Sequence, residues 1–200
     1  KQYCFMWEPP EDEPCTSYPA LKEEDQTDEY KAEETDVRSF TDEYEMLLAF
    51  RRFIQEEIDP DIISGYNILN FDNVYTIQRG QHLHSLYPES NKPELAWCWG
   101  RQLNRQCRLK KQYKFSNQKG GRESWECKIE GREFMDLFKI IMDDHKLRSY
   151  KLDEVAAHFL GTRKIHISYD DIPVMQRSPE GRVKLGVYCV KDAWLPCKLA

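Results

Sequence analysis

Two carboxylates and one phenol in this sequence stand at positions that suit the binding of metal ions. Asp72 comes directly after Phe71 at the end of an apolar stretch, where a buried neighbour would hold its carboxylate beside a cleft. Tyr188 and Asp192 are four residues apart, so on a helix they share one face. Carboxylate oxygens suit Mg²⁺ or Mn²⁺, which keep several waters and bridge to phosphate. Asp72 and Asp192 are therefore candidate metal ligands, and Tyr188 is a third candidate catalytic residue.

The chemistry that such a set could perform is the in-line displacement of one phosphate oxygen by another. Two ions about 3.5–4 Å apart can clamp the attacking and leaving oxygens, and one ion lowers the pKa of its bound water. The hydroxyl of Tyr188, one helical turn from Asp192, could orient that water. Each residue alone has an ordinary alternative, because a solvated Asp after a turn and a half-buried Tyr on a helix are common. The surrounding segments must decide between the two interpretations.

The stretch of residues 59–72 has the pattern of a strand, a turn and a carboxylate that follows them. Pro60 cannot continue a helix, so it separates this stretch from the preceding one. Ile62 and Ile63 then predict a short buried strand, and Gly65 permits a turn that other residues resist. We expect Phe71 to be a core anchor beside Asp72. Residues 74–79 predict the start of a further helix on the opposite side of the cleft.

Helices are predicted on both sides of this stretch. A first helix begins after Thr41 as its N-cap, with the acidic Asp42 and Glu43 in its first turn. Its apolar stripe consists of Met46, Leu47, Phe50, Phe53, Ile54 and Ile58. Three later helices each follow a side chain that can accept hydrogen bonds from a first turn. They are predicted at 137–144 after Asp136, at 150–160 after Ser149 and before Gly161, and at 179–199 after Ser178.

Composition and charge restrict the class of protein. Two hundred residues with 32% charged and 40% hydrophobic side chains suit one globular domain with a sizeable core. The longest apolar run covers residues 46–50, so no segment is long enough to cross a bilayer and no membrane partner is expected. Residues 1–7 are rich in aromatic side chains and predict a strand. Strands and helices alternate irregularly, which favours an α/β sheet with helices packed on it.

The net charge of −6 conceals an acidic segment and a basic segment. Residues 8–36 contain twelve acidic residues and two lysines, and we expect residues 11–36 to form a solvated loop. Residues 101–122 contain eight basic residues and no acidic one, interleaved with aromatic side chains. Such a segment suits a single-stranded nucleic-acid surface. The plainer interpretation is a two-stranded excursion whose aromatic side chains pack inward and whose Lys and Arg are solvated. Its candidate DNA contacts are Arg101, Arg105, Arg108, Lys110 and Lys111.

Three blocks of this sequence resemble motifs of family B DNA polymerases. The stretch Asp59-Pro-Asp-Ile-Ile-Ser-Gly-Tyr-Asn-Ile-Leu-Asn-Phe-Asp72 resembles the second exonuclease motif of that family, and Tyr188-Cys-Val-Lys-Asp192 resembles the third. Between them, Lys146-Leu-Arg-Ser-Tyr150 and His158-Phe-Leu-Gly161 are similar to the delta-type replicative polymerases of eukaryotes and large DNA viruses. The blocks occur in the order of the family, and together they make the resemblance specific.

The resemblance implies a fold, an activity and roles for the candidate residues. It implies the ribonuclease H-like fold of a proofreading 3′–5′ exonuclease domain, with a mixed sheet flanked by helices. Asp72 and Asp192 would be ligands of two Mg²⁺ or Mn²⁺ ions, and Tyr188 would assist the nucleophile that removes a 3′-terminal nucleotide. The implied partners are DNA, polymerase accessory subunits and a sliding clamp. The implied location is intracellular, either the nucleus or a virus-infected host cell.

One departure from the family concerns its first motif, an Asp-x-Glu on the first strand of the sheet. No matching sequence precedes Asp59. We therefore expect residues 1–200 to be a partial exonuclease domain that begins after the first motif and its strand and lacks the polymerase module. Such a piece alone would be inactive. The alternatives are a catalytically inactive exonuclease-like scaffold or DNA-binding module, and a free-standing exonuclease.

Overall fold

The computed structural model describes residues 1–8, 35–86, 96–102, 105–116 and 120–200. The predicted acidic loop at 11–36 lies outside the described residues, except for Thr35 and Asp36. The chain divides into two compact units. The first consists of residues 1–46 and 141–200, and the second consists of residues 47–140.

The first unit contains a pair of parallel strands packed on a long helix. Strands β1 (Gln2–Trp7) and β2 (Thr35–Phe40) pair in parallel. Helix α6 (Pro179–Leu199) lies against β1, where Met6 packs with Val187 and Val190. β1 confirms the predicted strand at 1–7. β2 was not predicted, because its polar residues were assigned to the acidic loop and to the start of the next helix.

Two shorter helices also lie in the first unit. Helix α4 (Leu152–Leu160) ends at Gly161, whose φ of 67° is the left-handed conformation that favours glycine. The predicted cap of α4 is wrong: the helix begins at Leu152 after Lys151, and no side chain caps it. Helix α5 (Ile172–Met175) is a single turn, and it was not predicted. The predicted Ser178 cap of α6 is confirmed, since its Oγ accepts a 3.1 Å hydrogen bond from the Gly181 amide.

Helix α1 (Glu43–Arg52) begins one residue later than predicted and changes its winding at Phe53. Its cap is Asp42 rather than Thr41, because Asp42 Oδ1 accepts a 2.8 Å hydrogen bond from the Glu45 amide. Residues Phe53–Ile58 form a π-helical segment. Its wider winding breaks the 3.6-residue repeat, so Ile58 is exposed instead of continuing the predicted apolar stripe.

The second unit holds the strand that precedes Asp72. Strand β3 (Ile62–Gly65) pairs in parallel with β6 (Glu133–Asp136), which was not predicted. The predicted strand is confirmed, but its burial is not, because Ile62 is 58% exposed. Helix α2 (Asp72–Leu86) follows as predicted, and it buries Val74 and Ile77. Helix α3 (Leu137–Asp144) follows β6 within the bounds that the sequence predicts.

The basic segment forms an antiparallel hairpin in the second unit. Strand β4 (Arg108–Ser116) pairs with β5 (Gly120–Lys128) over nine residue pairs. This confirms the two-stranded excursion, but the predicted inward packing is wrong for Tyr113, which is 67% exposed. β5 contacts α2, and the Trp125 amide donates a 3.1 Å hydrogen bond to Asn70 Oδ1. The base of the hairpin is thereby tied to the loop that leads into Asp72.

The mixed α/β content agrees with the predicted fold class, but the sheet differs from the single mixed sheet expected. In the described part of the chain the strands form three pairs, of which β1–β2 and β3–β6 are parallel and β4–β5 is antiparallel. No helix among the described residues is long and apolar enough to cross a membrane.

Candidate active site

Helix α6 brings Tyr188 and Asp192 together with a lysine that sequence reasoning missed. Lys164 Nζ donates hydrogen bonds of 2.9 Å to Asp192 Oδ2 and of 3.1 Å to the Tyr188 hydroxyl oxygen. The same ammonium lies 5.0 Å from the centre of the Tyr188 ring, within the range of a cation–π contact. The predicted i, i+4 pair therefore shares one face and one cationic partner.

The electrostatics of this cluster fix its protonation state near neutral pH. Burial alone would lower the pKa of Lys164, but its hydrogen bonds to Asp192 and Tyr188 outweigh burial and hold the pKa above its ordinary value. Burial raises the pKa of Tyr188, against the opposing effect of Lys164. At neutral pH the lysine is therefore a cation and the tyrosine a neutral hydroxyl. The Lys164 and Asp192 side chains are 26% and 25% exposed, so solvent weakens their attraction only in part.

One oxygen of Asp192 is left over after Lys164 has bound the other. Asp192 Oδ1 is buried and has no hydrogen-bond partner among the described residues. A buried carboxylate oxygen without a partner is costly, because it has lost its contacts with water. Hard cations take oxygen ligands of this kind. The available oxygen of Asp192 therefore fits the Mg²⁺ or Mn²⁺ that the sequence predicts.

No spacing rule could have identified Lys164. It lies 28 residues before Asp192 in a segment without regular structure, between α4 and α5. A contact of this range depends on how the chain folds back after Gly161, which a local pattern does not specify. The only local signal is the basic pair Arg163 and Lys164, directly before the apolar Ile165.

Asp72 is the first residue of α2 in the second unit, and its side chain is exposed. Its carbonyl oxygen accepts a 2.8 Å hydrogen bond from the Thr76 hydroxyl. The predicted core anchor Phe71 is wrong, because Phe71 is 68% exposed. Tyr75, four residues later, is also exposed. Exposed aromatic rings therefore lie on either side of Asp72 in sequence, where a buried support was expected.

The loop before Asp72 is held by a buried carboxylate. Asp136 accepts hydrogen bonds from the Asn67 amide at 2.7 Å and from the Leu69 amide at 3.2 Å. It also accepts a 3.2 Å bond from the Phe138 amide, as expected of the predicted cap of α3. Asn67 has a φ of 61°, which asparagine tolerates better than most residues. Asp136 thus links the end of β6 to the turn that delivers Asp72.

Arg101, a predicted DNA contact, forms hydrogen bonds with two aspartates of the second unit. It donates a 2.9 Å hydrogen bond to Asp59 Oδ1 and another to Asp61. The buried Arg132 also lies 3.0 Å from Asp59 Oδ1 and donates to the Trp99 carbonyl. These arginines hold the turn before β3, at which Asp59 has a left-handed φ of 43°.

Glutamates that follow residues 101–122 in sequence form ion pairs with some of the basic residues of this segment. Strand β5 and the residues after it place Glu130 2.6 Å from Arg108 and Glu123 2.7 Å from Lys111. Arg105 and Lys110 are exposed and have no ion pair within the described part of the chain. The remaining predicted DNA contacts therefore fall into two groups. Arg108 and Lys111 are paired with glutamates, whereas Arg105 and Lys110 are available to a ligand.

Asp72 belongs to the second unit and Asp192 to the first. Across the described ranges, no three His, Cys, Asp or Glu side chains are grouped so that they could hold a metal ion. The sharing of a metal site by Asp72 and Asp192 therefore stays a prediction.

Comparison with known families assigns the chain to a class of enzyme domain. Residues 13–155 match the model of the exonuclease domain of DNA polymerase family B. This range contains Asp72, and Tyr188 and Asp192 follow it. The chain belongs to this family, as the motif resemblance indicated.

Curated relatives of the chain include catalytic subunits of DNA polymerase delta. The chain is 44% identical over 165 residues to that of Arabidopsis thaliana and 43% identical over 165 residues to that of Glycine max. It is 37% identical over 164 residues to that of Bos taurus. Each alignment covers 82% of this chain and 14% of the relative.

Proposed function

We propose that this chain forms part of the 3′–5′ exonuclease domain of a delta-type DNA polymerase, with a ribonuclease H-like arrangement of the whole domain. Its activity would be the hydrolysis of the terminal nucleotide at a mismatched 3′ end. The observation that carries the proposal is the buried Oδ1 of Asp192, which has no hydrogen-bond partner among the described residues and lies on the helix face that Asp192 shares with Tyr188. Membership of the family supplies the class of reaction. Residues 1–200 would be one portion of a longer polymerase chain.

Asp192 and Asp72 are the residues that would hold Mg²⁺ or Mn²⁺. The Oδ1 of Asp192, which has no partner among the described residues, is the observation that supports this role, and for Asp72 the support is its match to the second exonuclease motif. When bound, the metal supplies charge neutralisation and lowers the pKa of a coordinated water. Lys164 keeps the second oxygen of Asp192 in a fixed direction, so that one carboxylate serves two partners.

The side chains around Asp192 have separate tasks in the proposed reaction. Tyr188, neutral at neutral pH, has a hydroxyl that can hold a water by accepting or donating a hydrogen bond. Lys164 adds a fixed positive charge beside it, which favours the negative charge that develops when water attacks a phosphodiester. The scissile phosphate would therefore meet a cation, a positioned hydroxyl and a carboxylate along one side of α6.

The second unit offers groups that suit a single-stranded 3′ end. Phe71 and Tyr75 are exposed aromatic rings on which bases can stack irrespective of sequence. Arg105 and Lys110 are available to contact phosphates, and such contacts give affinity without sequence preference. DNA is accordingly the proposed partner. Accessory subunits, a sliding clamp and a nuclear or host-cell location follow only from the polymerase to which the chain is assigned.

A non-catalytic scaffold is the second candidate function. The observation that favours it is the ion pair of Lys164 with Asp192, which neutralises a proposed metal ligand. A scaffold would bind DNA with the same affinity whether or not Asp192 is intact. A catalytic domain would bind DNA and would lose nucleotide release when Asp192 is replaced.

The experiment that separates the two compares Asp192→Ala with Asp143→Ala in the full-length polymerase. Asp143 is an exposed aspartate of α3 and provides a matched loss of one carboxylate. Release of nucleoside monophosphate from a single-stranded 3′ end is measured with Mg²⁺. We expect Asp192→Ala to reduce the rate by at least a hundredfold and Asp143→Ala to leave it unchanged. A wild-type polymerase that releases no nucleotide would support the scaffold, and a fully active Asp192→Ala variant would mean that other residues carry the reaction.

A further inference from the structure

Lys164 has to be held in place by something other than regular structure, because it lies in the segment between α4 and α5. A lysine side chain has four rotatable bonds, so its ammonium can occupy many positions for one position of the backbone. The contacts with Tyr188 and Asp192 are formed only when the backbone of Lys164 lies at the right distance from α6. The geometry of that backbone therefore decides whether the cation belongs to the site.

A side chain in the first turn of α4 binds this backbone. Asp153 Oδ1 accepts a 3.0 Å hydrogen bond from the amide of Lys164, and this bond is partly buried. The left-handed turn at Gly161 ends α4, after which the chain returns to the start of the helix and reaches Asp153. The same carboxylate accepts a hydrogen bond from Arg163 through Oδ2. Asp153 thus binds two successive residues of the returning segment.

The two hydrogen bonds of Asp153 differ in how firmly they can hold the returning segment. Arg163 is exposed and also lies 3.0 Å from Glu154, so its ion pairs are screened by solvent and partly redundant. The bond to the Lys164 amide is directional, and it is the one hydrogen bond that this amide donates within the described part of the chain. It acts directly on the backbone from which the catalytic cation extends.

We propose that Asp153 is a positioning residue, whose Oδ1 holds the Lys164 backbone so that the ammonium reaches Asp192 and Tyr188. It acts through Lys164 and touches none of the proposed reacting groups itself. The role in positioning follows from the contacts within the first unit. Its effect on catalysis rests on the proposed function.

The first test measures the accessibility of Lys164 without any enzyme assay. The full-length protein is treated with trace acetic anhydride, and the acetylation of Lys164 is compared with that of the exposed Lys184 by mass spectrometry. We expect Asp153→Ala to raise the ratio of Lys164 to Lys184 acetylation at least fivefold, because the released ammonium leaves its partners. Asp153→Asn keeps an acceptor oxygen for the amide and should stay within twofold of wild type.

Glu154→Ala is the matched control, because it removes an ion pair with Arg163 and leaves the bond to the Lys164 amide intact. Its acetylation ratio should also stay within twofold of wild type. The proposal is overturned if Asp153→Ala leaves the ratio unchanged, or if Asp153→Asn or Glu154→Ala raises it as much. Thermal unfolding is recorded for every variant. If Asp153→Ala does not fold, Asp153→Gln, with its acceptor one methylene farther away, takes its place with the same expected result.

The second test measures exonuclease turnover in the same variants. Asp153→Ala should lower kcat about tenfold with KM for the single-stranded 3′ end unchanged, because a misplaced group costs rate rather than binding. Asp153→Asn should restore at least half of the lost rate. Activity that survives Asp192→Ala would refute the proposed active site, and the acetylation ratios would still report on Asp153. If Asp192→Ala abolishes activity and Asp153→Ala does not lower it, the effect of Asp153 on catalysis is refuted while the proposed function stands.

Discussion

Lys164 distinguishes the Tyr188 and Asp192 pair from an ordinary pair of polar residues on a helix. Two polar side chains one turn apart on a helix are common, but here they share an ammonium at hydrogen-bond distance. The cation keeps Asp192 directed and leaves its second oxygen available. A group with this geometry can bind a metal through one oxygen and remain anchored through the other.

Replacement of Lys164 by Met should remove the charge and keep the length of the side chain. We expect the single-turnover rate of 3′-nucleotide release by the full-length polymerase to fall about a hundredfold, within the range for loss of one electrostatic group. Tyr188→Phe should cost less, about tenfold, because it removes only an orienting hydroxyl. Lys184→Met is the control for loss of one lysine. A fully active Lys164→Met variant would contradict the role given to this cation.

What the sequence could predict about these residues depends on the range of their contacts. The common face of Tyr188 and Asp192 followed from the i, i+4 repeat of a helix, which is a local property. Lys164 could not be found, because its contact depends on the turn after α4. Phe71 was assigned to the core from its apolar character alone, although apolar side chains are frequent on protein surfaces.

The turn before β3 is stabilised by charge, and this stabilisation should depend on pH. The hydrogen bond from Arg101 is the main cause that lowers the pKa of Asp59, with a further contribution from Arg132. Because the folded protein favours ionised Asp59, its contribution to stability is complete above the ordinary pKa of about 3.9. It is lost as the pH falls through the lowered value.

Asp59→Asn should therefore reduce the free energy of unfolding at pH 6, and the difference from wild type should shrink as the pH falls from 5 to 2. Asparagine tolerates the left-handed backbone at this position, so the change tests the charge rather than the conformation. Urea unfolding at several pH values measures it. Asp143→Asn is the control, for which we expect no such convergence. A difference for Asp59→Asn that stays constant with pH would mean that the ion pairs do not stabilise the turn.

The β4–β5 hairpin separates paired from available basic residues, and binding to DNA should follow this division. Neutralising Arg105 and Lys110 as glutamines should flatten the salt dependence of single-strand binding by about 1.4 in slope, since each phosphate contact contributes roughly 0.7. The same change at Arg108 and Lys111, which pair with Glu130 and Glu123, should flatten it less. Fluorescence anisotropy with the full-length polymerase at several salt concentrations measures both slopes. Unchanged slopes in both variants would make the hairpin a solvated surface.

Elements with strong local signals were predicted, and those set by pairing were not. Ser178 and Pro179 marked the start of α6. Strand β2 was missed because its alternation of polar and apolar residues is weak. Strand β6 was missed because only four residues pair with β3. Such short strands are defined by their partner more than by their own propensity.

The two units of the chain carry different parts of the proposed reaction. The first unit contains Lys164, Tyr188 and Asp192, and the second contains Asp72, the exposed aromatic rings and the basic hairpin. The fold class could be predicted because the mixture of helices and strands is visible in the sequence. The single mixed sheet could not be confirmed, because the described strands form three separate pairs.

The sequence predicts that Asp72 and Asp192 act together in one metal-dependent reaction, and a double-mutant cycle tests this prediction most directly. Single-turnover release of the 3′-terminal nucleotide by the full-length polymerase is measured with Mg²⁺ for Asp72→Ala, for Asp192→Ala and for the double variant. Residues that act as a unit show strongly non-additive losses. We predict that each single variant loses at least a hundredfold in rate and that the double variant is no slower than the slower single one. Losses that multiply, or activity that persists in the double variant, would contradict a shared site.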